Sequence, residues 1–424
     1  MERAKCVMGH LQGGRGQISL QPTLAAMSTE RADDVVIVTA KRTPICKSRR
    51  GGLKDTLPDD MLSTAFNAVI KDSGIDPKLI GDICVGNVSQ PGAGARISRF
   101  AQFFSGIPET VPLMTVNRQC SSGLQACMNV AANIKAGVCD IGIGAGVESL
   151  TVNPMGRQPE GFVLNPRVLE VQKAKDCLIP MGITSENVAA RFGISREKQD
   201  RMAMESHQKA AAAQKNGWFD EEIVPVHTVL KDKDGNEQTV VISKDDGVRA
   251  GTTMEILAKL KPAFQQGGST TAGNASQVSD GAAAVILARR STAERLGLPI
   301  LGSVKSYAVV GVPPDIMGIG PAYAIPEAVK KAGLTLDDID IFEINEAFAS
   351  QATYCVEKLG IPMSKVNPKG GAIALGHPLG CTGARQISTL LYELKRRGRK
   401  AYGVVSMCIG TGMGAAAVFE YPGK

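Results

Sequence analysis

The chain has 424 residues, of which 43% are apolar and 21% charged. At roughly 100 to 200 residues per domain, this length predicts a globular protein of two to four domains. The net charge of +7 is modest, and no long basic run with interleaved aromatics supports nucleic-acid binding. The ten cysteines form no tight CxxC pair, so no metal site is predicted. The sequence contains no uncharged apolar stretch of about 18 residues, so no membrane span is predicted.

The predicted elements alternate between strands and helices along the first third of the chain. Residues 1–33 are polar and irregular and are assigned to a leader outside the fold. A strand over 34–40 opens the globular part, and a helix follows at 58–72. Further strands, separated by helices, are predicted at 82–88, 112–116 and 140–145. This alternation is typical of a layered α/β domain.

The end of the chain repeats the pattern of its beginning. Asp82-Ile83-x-x-x-Asn87 returns as Asp340-Ile341-x-x-x-Asn345. The apolar face of one helix, Cys127, Val130, Ala131 and Ile134, recurs 260 positions later as Ile387, Leu390, Leu391 and Leu394. We therefore predict two duplicated halves over 34–155 and 293–424. A charged insertion at 156–292, with helices around 185–217, lies between them and includes the end of the first half.

Cys120 is the first candidate for chemistry, because it joins a predicted buried strand to an amphipathic helix. The positive end of a helix dipole and nearby free N–H groups can stabilise a thiolate and hold an oxyanion. A buried, inert cysteine in a tight turn would give the same local pattern.

Three segments of the second half carry further candidates. His377 lies in the glycine-rich loop 370–380 before a helix and could act as a base for a nearby thiol. Cys408 ends a strand in Ser406-Met407-Cys408-Ile409-Gly410, and Asn345 ends another. Taken singly, these residues could be a loop histidine, a core cysteine and a helix cap.

Together these segments resemble the thiolases. The similarity lies in the blocks 117–123, 345–349 and 376–378 and in Cys408-x-Gly410-x-Gly412, with further matches at 42–44, 181–187 and 271–276. It covers about residues 34–421. It implies a thiolase fold, in which duplicated βαβαβαββ halves with five-stranded mixed sheets form a layered α-β-α-β-α core with a loop-domain insertion. It also implies a homodimer.

The resemblance implies an acyltransferase that cleaves a 3-ketoacyl-CoA with CoA, giving acetyl-CoA and a shortened acyl-CoA in fatty-acid β-oxidation. Cys120 would attack the ketone and carry the acyl group, and His377 would take its proton. Asn345 would position a water, and Cys408 would exchange a proton with the enolate carbon. The backbone N–H groups of Cys120 and Gly410 would hold an oxyanion. Coenzyme A is then a co-substrate, and no tightly bound cofactor or metal is implied.

The same resemblance assigns coenzyme contacts within and around the insertion. It places Arg249 near the nucleotide phosphates and Ser276 near the pantetheine amide. It places Met181, Phe264 and Phe348 along the pantetheine channel.

The first residues of the chain contain a candidate targeting signal. Arg3, Val7, His10 and Leu11 resemble the amino-terminal peroxisomal targeting nonapeptide, and on a helix they would share one face. This similarity predicts recognition by a peroxisomal import receptor and location in the peroxisome.

Three alternatives use much of the same sequence. A biosynthetic acetoacetyl-CoA thiolase would need the same residues, and only pocket size and concentrations would set its direction. A ketoacyl synthase would need a Cys-His-His set, which these blocks do not match. A catalytically silent acyl-CoA-binding relative would be expected to lack at least one of Cys120, Asn345, His377 and Cys408.

Overall fold

The computed structural model describes residues 31–156 and 163–423. The first half contains β1 (Val35–Arg42), β2 (Cys46–Lys47), α1 (Pro58–Ser73), β3 (Asp82–Gly86), α2 (Ala95–Phe104), β4 (Leu113–Val116), α3 (Ser122–Lys135) and β5 (Ile141–Ser149). The insertion contains α4 (Gln172–Asp176), α5 (Met181–Phe192), α6 (Arg196–Lys215), β6 (Val226–Lys231), β7 (Glu237–Ile242) and α7 (Met254–Ala258). The remainder contains β8 (Ser279–Arg289), α8 (Arg290–Arg295), β9 (Gly302–Gly311), α9 (Gly320–Lys331), β10 (Ile341–Ile344), α10 (Ala349–Leu359), α11 (Ala372–Leu375), α12 (Leu379–Arg397), β11 (Ala401–Ile409) and β12 (Met413–Tyr421).

Local signals account for the ends of α1, the first long helix. Pro58 begins it, where a missing N–H costs nothing, and Asp59 and Asp60 favour the positive end of its dipole. It ends at Gly74, whose φ of 68° is the left-handed conformation that a glycine cap adopts without strain.

The sheet topology confirms the predicted duplication. The first half has strand order β1-β8-β5-β3-β4, and the second has β9-β12-β11-β10. In each half the first two pairings are antiparallel and the next is parallel. A parallel bridge between Phe342 and Val366 stands where β4 pairs with β3 in the first half. The halves are joined by a short β1–β9 pairing, Val36 with Ser303 and Ile37 with Gly302, which makes the two predicted sheets continuous.

Alternation along the strands divides the interior into layers. One core cluster packs α3 and α12 between the two halves of the sheet, with Ile37, Val285 and Val405 among its members. The opposite faces of the strands pack against α1 in the first half and against α9 and α10 in the second. The resulting order is helices, sheet, central helices, sheet and helices.

Glycines bring the two central helices unusually close at their N-terminal ends. A Cβ on Gly123 of α3 would lie 2.6 Å from the carbonyl oxygen of Gly380 in α12. A Cβ on Gly383 would lie 2.3 Å from the backbone nitrogen of Leu124. Any larger side chain would force these helices apart, so the glycines fix how closely the segments that precede them can meet.

A buried ionic cluster fastens the insertion to both halves. Arg42 of β1 pairs with Glu222 and Asp245 of the insertion, each at 2.7 Å. Lys369 of the second half pairs with the same Glu222 at 2.7 Å. All four side chains are buried. Removal of one partner would leave an uncompensated charge in the core, a change that typically costs about 3–5 kcal/mol.

Candidate active site

Cys120 lies in a tight turn immediately before α3. The residue before it, Gln119, has a φ of 48°, an uncommon conformation for a non-glycine residue. The Ser122 hydroxyl accepts the N–H of Arg118 at 2.9 Å and donates to the carbonyl of Gln119 at 2.6 Å. Asn117 Oδ1 accepts the N–H of Gln119 at 2.9 Å. These bonds hold the turn and therefore the direction of the Cys120 side chain.

The protonation state of Cys120 differs from the thiolate that the helix start suggests. Burial raises the pKa of the Cys120 thiol to about 11, although hydrogen bonds from the N–H groups of Gly410 and of Cys120 itself act in the opposite direction. Desolvation thus outweighs these two hydrogen bonds. The thiol is neutral near pH 7 and needs a base to react. The two N–H groups that reach the sulfur are those predicted as oxyanion donors.

His377 occupies the corresponding place immediately before α12. Gly376 has a φ of 110°, and a Cβ there would lie 2.3 Å from Ser279 Oγ, so only glycine fits. His377 Nδ1 lies 2.6 Å from Thr382 Oγ1, and Nε2 lies 3.3 Å from Asn345 Nδ2. Burial, assisted by the charge of Arg385, lowers the pKa of His377 to about 3. The imidazole is therefore neutral and able to accept a proton.

Two adjacent parallel strands supply the other predicted residues. Asn345 follows β10, and its N–H donates to Ser406 of β11 at 2.8 Å. Cys408 is two residues further along β11 and is fully buried, and burial raises its pKa well above the usual value. The structure therefore brings Asn345 to His377 and places Cys408 close enough to Cys120 for the two thiols to interact electrostatically.

A cavity of about 110 Å³ passes between Cys120 and His377. Four residues predicted for the pantetheine channel line it: Met181, Phe264, Ser276 and Phe348. The rings of Phe264 and Phe348 meet edge to face with centroids 6.1 Å apart. Cys408 packs against Phe348 from behind the wall. A narrow, mostly apolar passage to a thiol suits a slender thioester arm.

Arg249 lies apart from this group. It lines a separate cavity of about 680 Å³, and its backbone N–H donates to His207 Nδ1 at 3.2 Å. The predicted contact with phosphates therefore belongs to an outer region of the site.

Glu148 is a polar residue of the site that the sequence reasoning missed. It is fully buried at the end of β5, where its carboxylate accepts the N–H groups of Val88, Ser89 and Gly380. Burial raises the pKa of Glu148 to about 7 despite these bonds. Its negative charge also acts on Cys120, where it contributes to the raised pKa. Glu148 ties the loop after β3 to the start of α12, the helix that follows His377.

Some predictions fall outside this site or outside the described residues. Arg3, Val7, His10 and Leu11 of the possible targeting peptide lie outside the residues that the structure describes. Within 31–156 and 163–423, no group of three His, Cys, Asp or Glu side chains could hold a metal ion. In the same residues, no helix is long and apolar enough to cross a bilayer.

Comparison with known proteins agrees with the fold and with the sequence blocks. The thiolase N-terminal domain model matches residues 35–291, and the thiolase C-terminal domain model matches residues 298–421. The chain is 66% identical over 427 residues to the rat peroxisomal 3-ketoacyl-CoA thiolase B, with all of both chains covered.

Solved structures give the same result. The dimeric peroxisomal thiolase of Saccharomyces cerevisiae is 52% identical, with a TM-score of 0.86 over 93% of this chain and 98% of the yeast chain. Human mitochondrial 3-ketoacyl-CoA thiolase in complex with CoA is 37% identical, with a TM-score of 0.81 over 92% of this chain and 98% of the human one. The chain therefore belongs to the thiolase family and is an acyltransferase.

Proposed function

We propose that this protein cleaves 3-ketoacyl-CoA with CoA, through an acyl group held on Cys120, to give acetyl-CoA and a shortened acyl-CoA. The observation that carries the proposal is the meeting of a thiol and an imidazole at one narrow cavity, where the two central helices begin. Cys120 and His377 are both neutral and line this cavity. The amide of Asn345 contacts His377, and the buried thiol of Cys408 lies close enough to Cys120 to interact with it.

The first half-reaction breaks a carbon–carbon bond. Cys120 attacks the ketone carbon while His377 Nε2 takes the thiol proton. The ketone oxygen becomes an oxyanion facing the N–H groups of Cys120 and Gly410, and one such donor is typically worth about 3–4 kcal/mol of barrier. The bond to the neighbouring carbon then breaks, and its electron pair forms the enolate of acetyl-CoA. Cys408 protonates the enolate carbon and becomes a thiolate.

Asn345 and His377 act on the oxygen of the departing thioester in the same step. Asn345 Oδ1 is buried and makes no hydrogen bond to another described residue, so it is free to hold a water. That water and the protonated imidazole together donate to the enolate oxygen, where the negative charge develops.

The second half-reaction returns the enzyme to its starting state. CoA enters, its thiol gives its proton to the Cys408 thiolate, and its sulfur attacks the acyl carbon. The bond to Cys120 breaks, and His377 returns the first proton to the leaving sulfur. The protons balance over the cycle, and the order of events requires ping-pong kinetics.

The cellular setting follows from the relatives. The chain is a peroxisomal protein of fatty-acid β-oxidation, like the rat and yeast proteins it matches over most or all of its length. The N-terminal segment with Arg3 and His10 is the proposed import signal, read by a peroxisomal receptor. The yeast relative is dimeric, and we infer a homodimer here, which light scattering of the purified protein would test.

The test uses 3-ketoacyl-CoA substrates from acetoacetyl to hexadecanoyl, with CoA-dependent thioester cleavage as the readout. Wild-type protein is expected to act on long chains, and incubation with substrate but without free CoA should add one acyl group to Cys120, detected by mass. Cys120→Ala should lose both, whereas Cys139→Ala, a cysteine away from the cavity, should keep both. Cleavage of acetoacetyl-CoA alone would favour a biosynthetic thiolase. No cleavage by folded wild type would refute the enzymatic proposal in favour of an acyl-CoA binder.

A further inference from the structure

The cavity at Cys120 adjoins a larger cavity that is lined by no predicted catalytic residue. Met155, Gln277 and Val278 line both the cavity at Cys120 and the 680 Å³ cavity that contains Arg249. Gln277 is fixed at this junction, since its Nε2 donates to the carbonyl of Gly247 at 2.8 Å and its own carbonyl accepts the N–H of His377. The outer cavity therefore begins at the residues that end the cavity of Cys120, within reach of a long ligand whose thioester lies at Cys120.

The outer cavity is lined on one side by a basic turn. Lys47, Ser48, Arg49 and Arg50 all contribute to its wall, as does Arg249 of the insertion. None of the four cationic side chains makes an ion pair or side-chain hydrogen bond with another residue in the described part of the chain. No described residue in the wall is acidic. Four cations without partners around one opening create a site for a polyanion.

The basic turn is held in place by backbone bonds. The N–H of Ser48 donates to the carbonyl of Val278 at 3.0 Å, and the N–H of Arg49 donates to Thr151 Oγ1 at 2.7 Å. Arg49 has a φ of 65°, a strained conformation for a residue with a Cβ, and such strain is common at functional sites. The nearest carboxylate, Asp246, is occupied by the N–H groups of Lys47 and Gly52 at 2.8 and 3.0 Å.

We propose that Lys47, Arg49 and Arg50, together with Arg249, form a phosphate-binding mouth for the nucleotide end of coenzyme A. The proposal rests on the proposed function and adds to it three residues that the thiolase motifs do not include. Coenzyme A carries a diphosphate and a 3′-phosphate at the end of its pantetheine arm. Arginine and lysine are the side chains that bind phosphate most effectively, arginine through paired hydrogen bonds.

The test compares full-length Arg49→Gln/Arg50→Gln and Lys47→Gln with wild type. The matched control, Lys71→Gln/Lys78→Gln, removes two charges from exposed positions of and after α1. We expect the double variant Arg49→Gln/Arg50→Gln to raise KM for CoA about tenfold and to leave kcat unchanged. The difference in KM between this variant and wild type should shrink at high salt. The control should behave as wild type.

Truncated substrates separate this proposal from the proposed function. With pantetheine in place of CoA, the mouth variants should match wild type, because no phosphate is present. Dephospho-CoA lacks the 3′-phosphate but keeps the diphosphate. If the mouth variants no longer raise KM with this substrate, the contact is to the 3′-phosphate; if they still raise it, the contact is to the diphosphate. Both results support the mouth. An unchanged KM for CoA, or an equal loss with pantetheine, would refute it while wild-type cleavage left the proposed function intact.

Discussion

Thr382 holds His377 in the form that the proposed chemistry needs. With Asn345 Nδ2, a donor, facing Nε2, the imidazole hydrogen belongs on Nδ1, from which it is donated to the Thr382 hydroxyl at 2.6 Å. Nε2 is then unprotonated, and its lone pair, which faces Asn345 Nδ2, can accept the Cys120 proton. Thr382 touches neither substrate nor reacting atoms and is therefore a positioning residue.

The cost of losing this bond can be worked out from the burial of both partners. Thr382 is fully buried and His377 is 5% exposed, so no water replaces the hydroxyl in Thr382→Val. When His377 becomes charged, the bond from Nδ1 is charge-assisted, and such bonds contribute about 1.5–3 kcal/mol. At 1.36 kcal/mol per factor of ten, kcat/KM should fall about 10- to 150-fold.

Thr382→Ser is the matched control, since it keeps the hydroxyl and removes only a methyl group. The assay is kcat/KM for acetoacetyl-CoA thiolysis across pH, together with the rate of Cys120 alkylation by iodoacetamide at pH 7. Thr382→Val should lose both activities, and Thr382→Ser should remain within a few-fold of wild type. If folded Thr382→Val alkylates and turns over as fast as Thr382→Ser, the hydroxyl does not position the base.

Three further predictions follow from burial and packing. In His377→Ala, alkylation of Cys120 should rise about tenfold per pH unit from pH 7 to 9, because the thiol pKa is about 11; a rate independent of pH would mean a thiolate stabilised without the base. Gly383→Ala should lower the free energy of unfolding by about 1–3 kcal/mol, because its Cβ meets backbone. Gly311→Ala, where a Cβ meets nothing, should not. Burial lowers the pKa of His207 to about 4, so the unfolded chain binds more protons below about pH 6.5 and stability should fall by up to about 3 kcal/mol towards pH 4. Urea titrations should show this loss diminished in His207→Asn, and an unchanged loss would contradict the assignment.

The duplicated architecture could be predicted from the sequence because each repeated element is formed by one continuous stretch of chain. Each repeated helix keeps its apolar face over a single stretch of chain, and the equivalent strands β5 and β11 have nine residues each. The recurring helix face and the repeated Asp-Ile-x-x-x-Asn pattern therefore predict the paired halves. The junction between them, two residue pairs of β1 and β9, has no such pattern and appears only in the structure.

The features that the sequence did not predict depend on groups far apart in the chain. The carboxylate of Glu148 binds the N–H of Gly380, 232 positions away. The basic mouth joins Arg49 to Arg249 across the insertion. The neutral state of Cys120 depends on how much surrounding structure excludes water, and no motif reports that quantity.

The duplicated scaffold also accounts for the composition of the site. Cys120 lies two positions before α3, and His377 lies two positions before α12, so the proposed nucleophile and its proposed base occupy equivalent places in the two halves. Glu148 and Cys408 are the eighth residues of β5 and β11, and Asn87 and Asn345 follow β3 and β10. In the first half, the strand-end pair forms a structural bond, with Asn87 donating to the carbonyl of Val147 and to Glu148. In the second half, the same places hold a buried thiol and an amide that faces the base. A symmetric framework thus brings two helix starts together. The strand ends differ between the halves, so that the first half supplies a structural carboxylate and the second supplies the proposed proton donor.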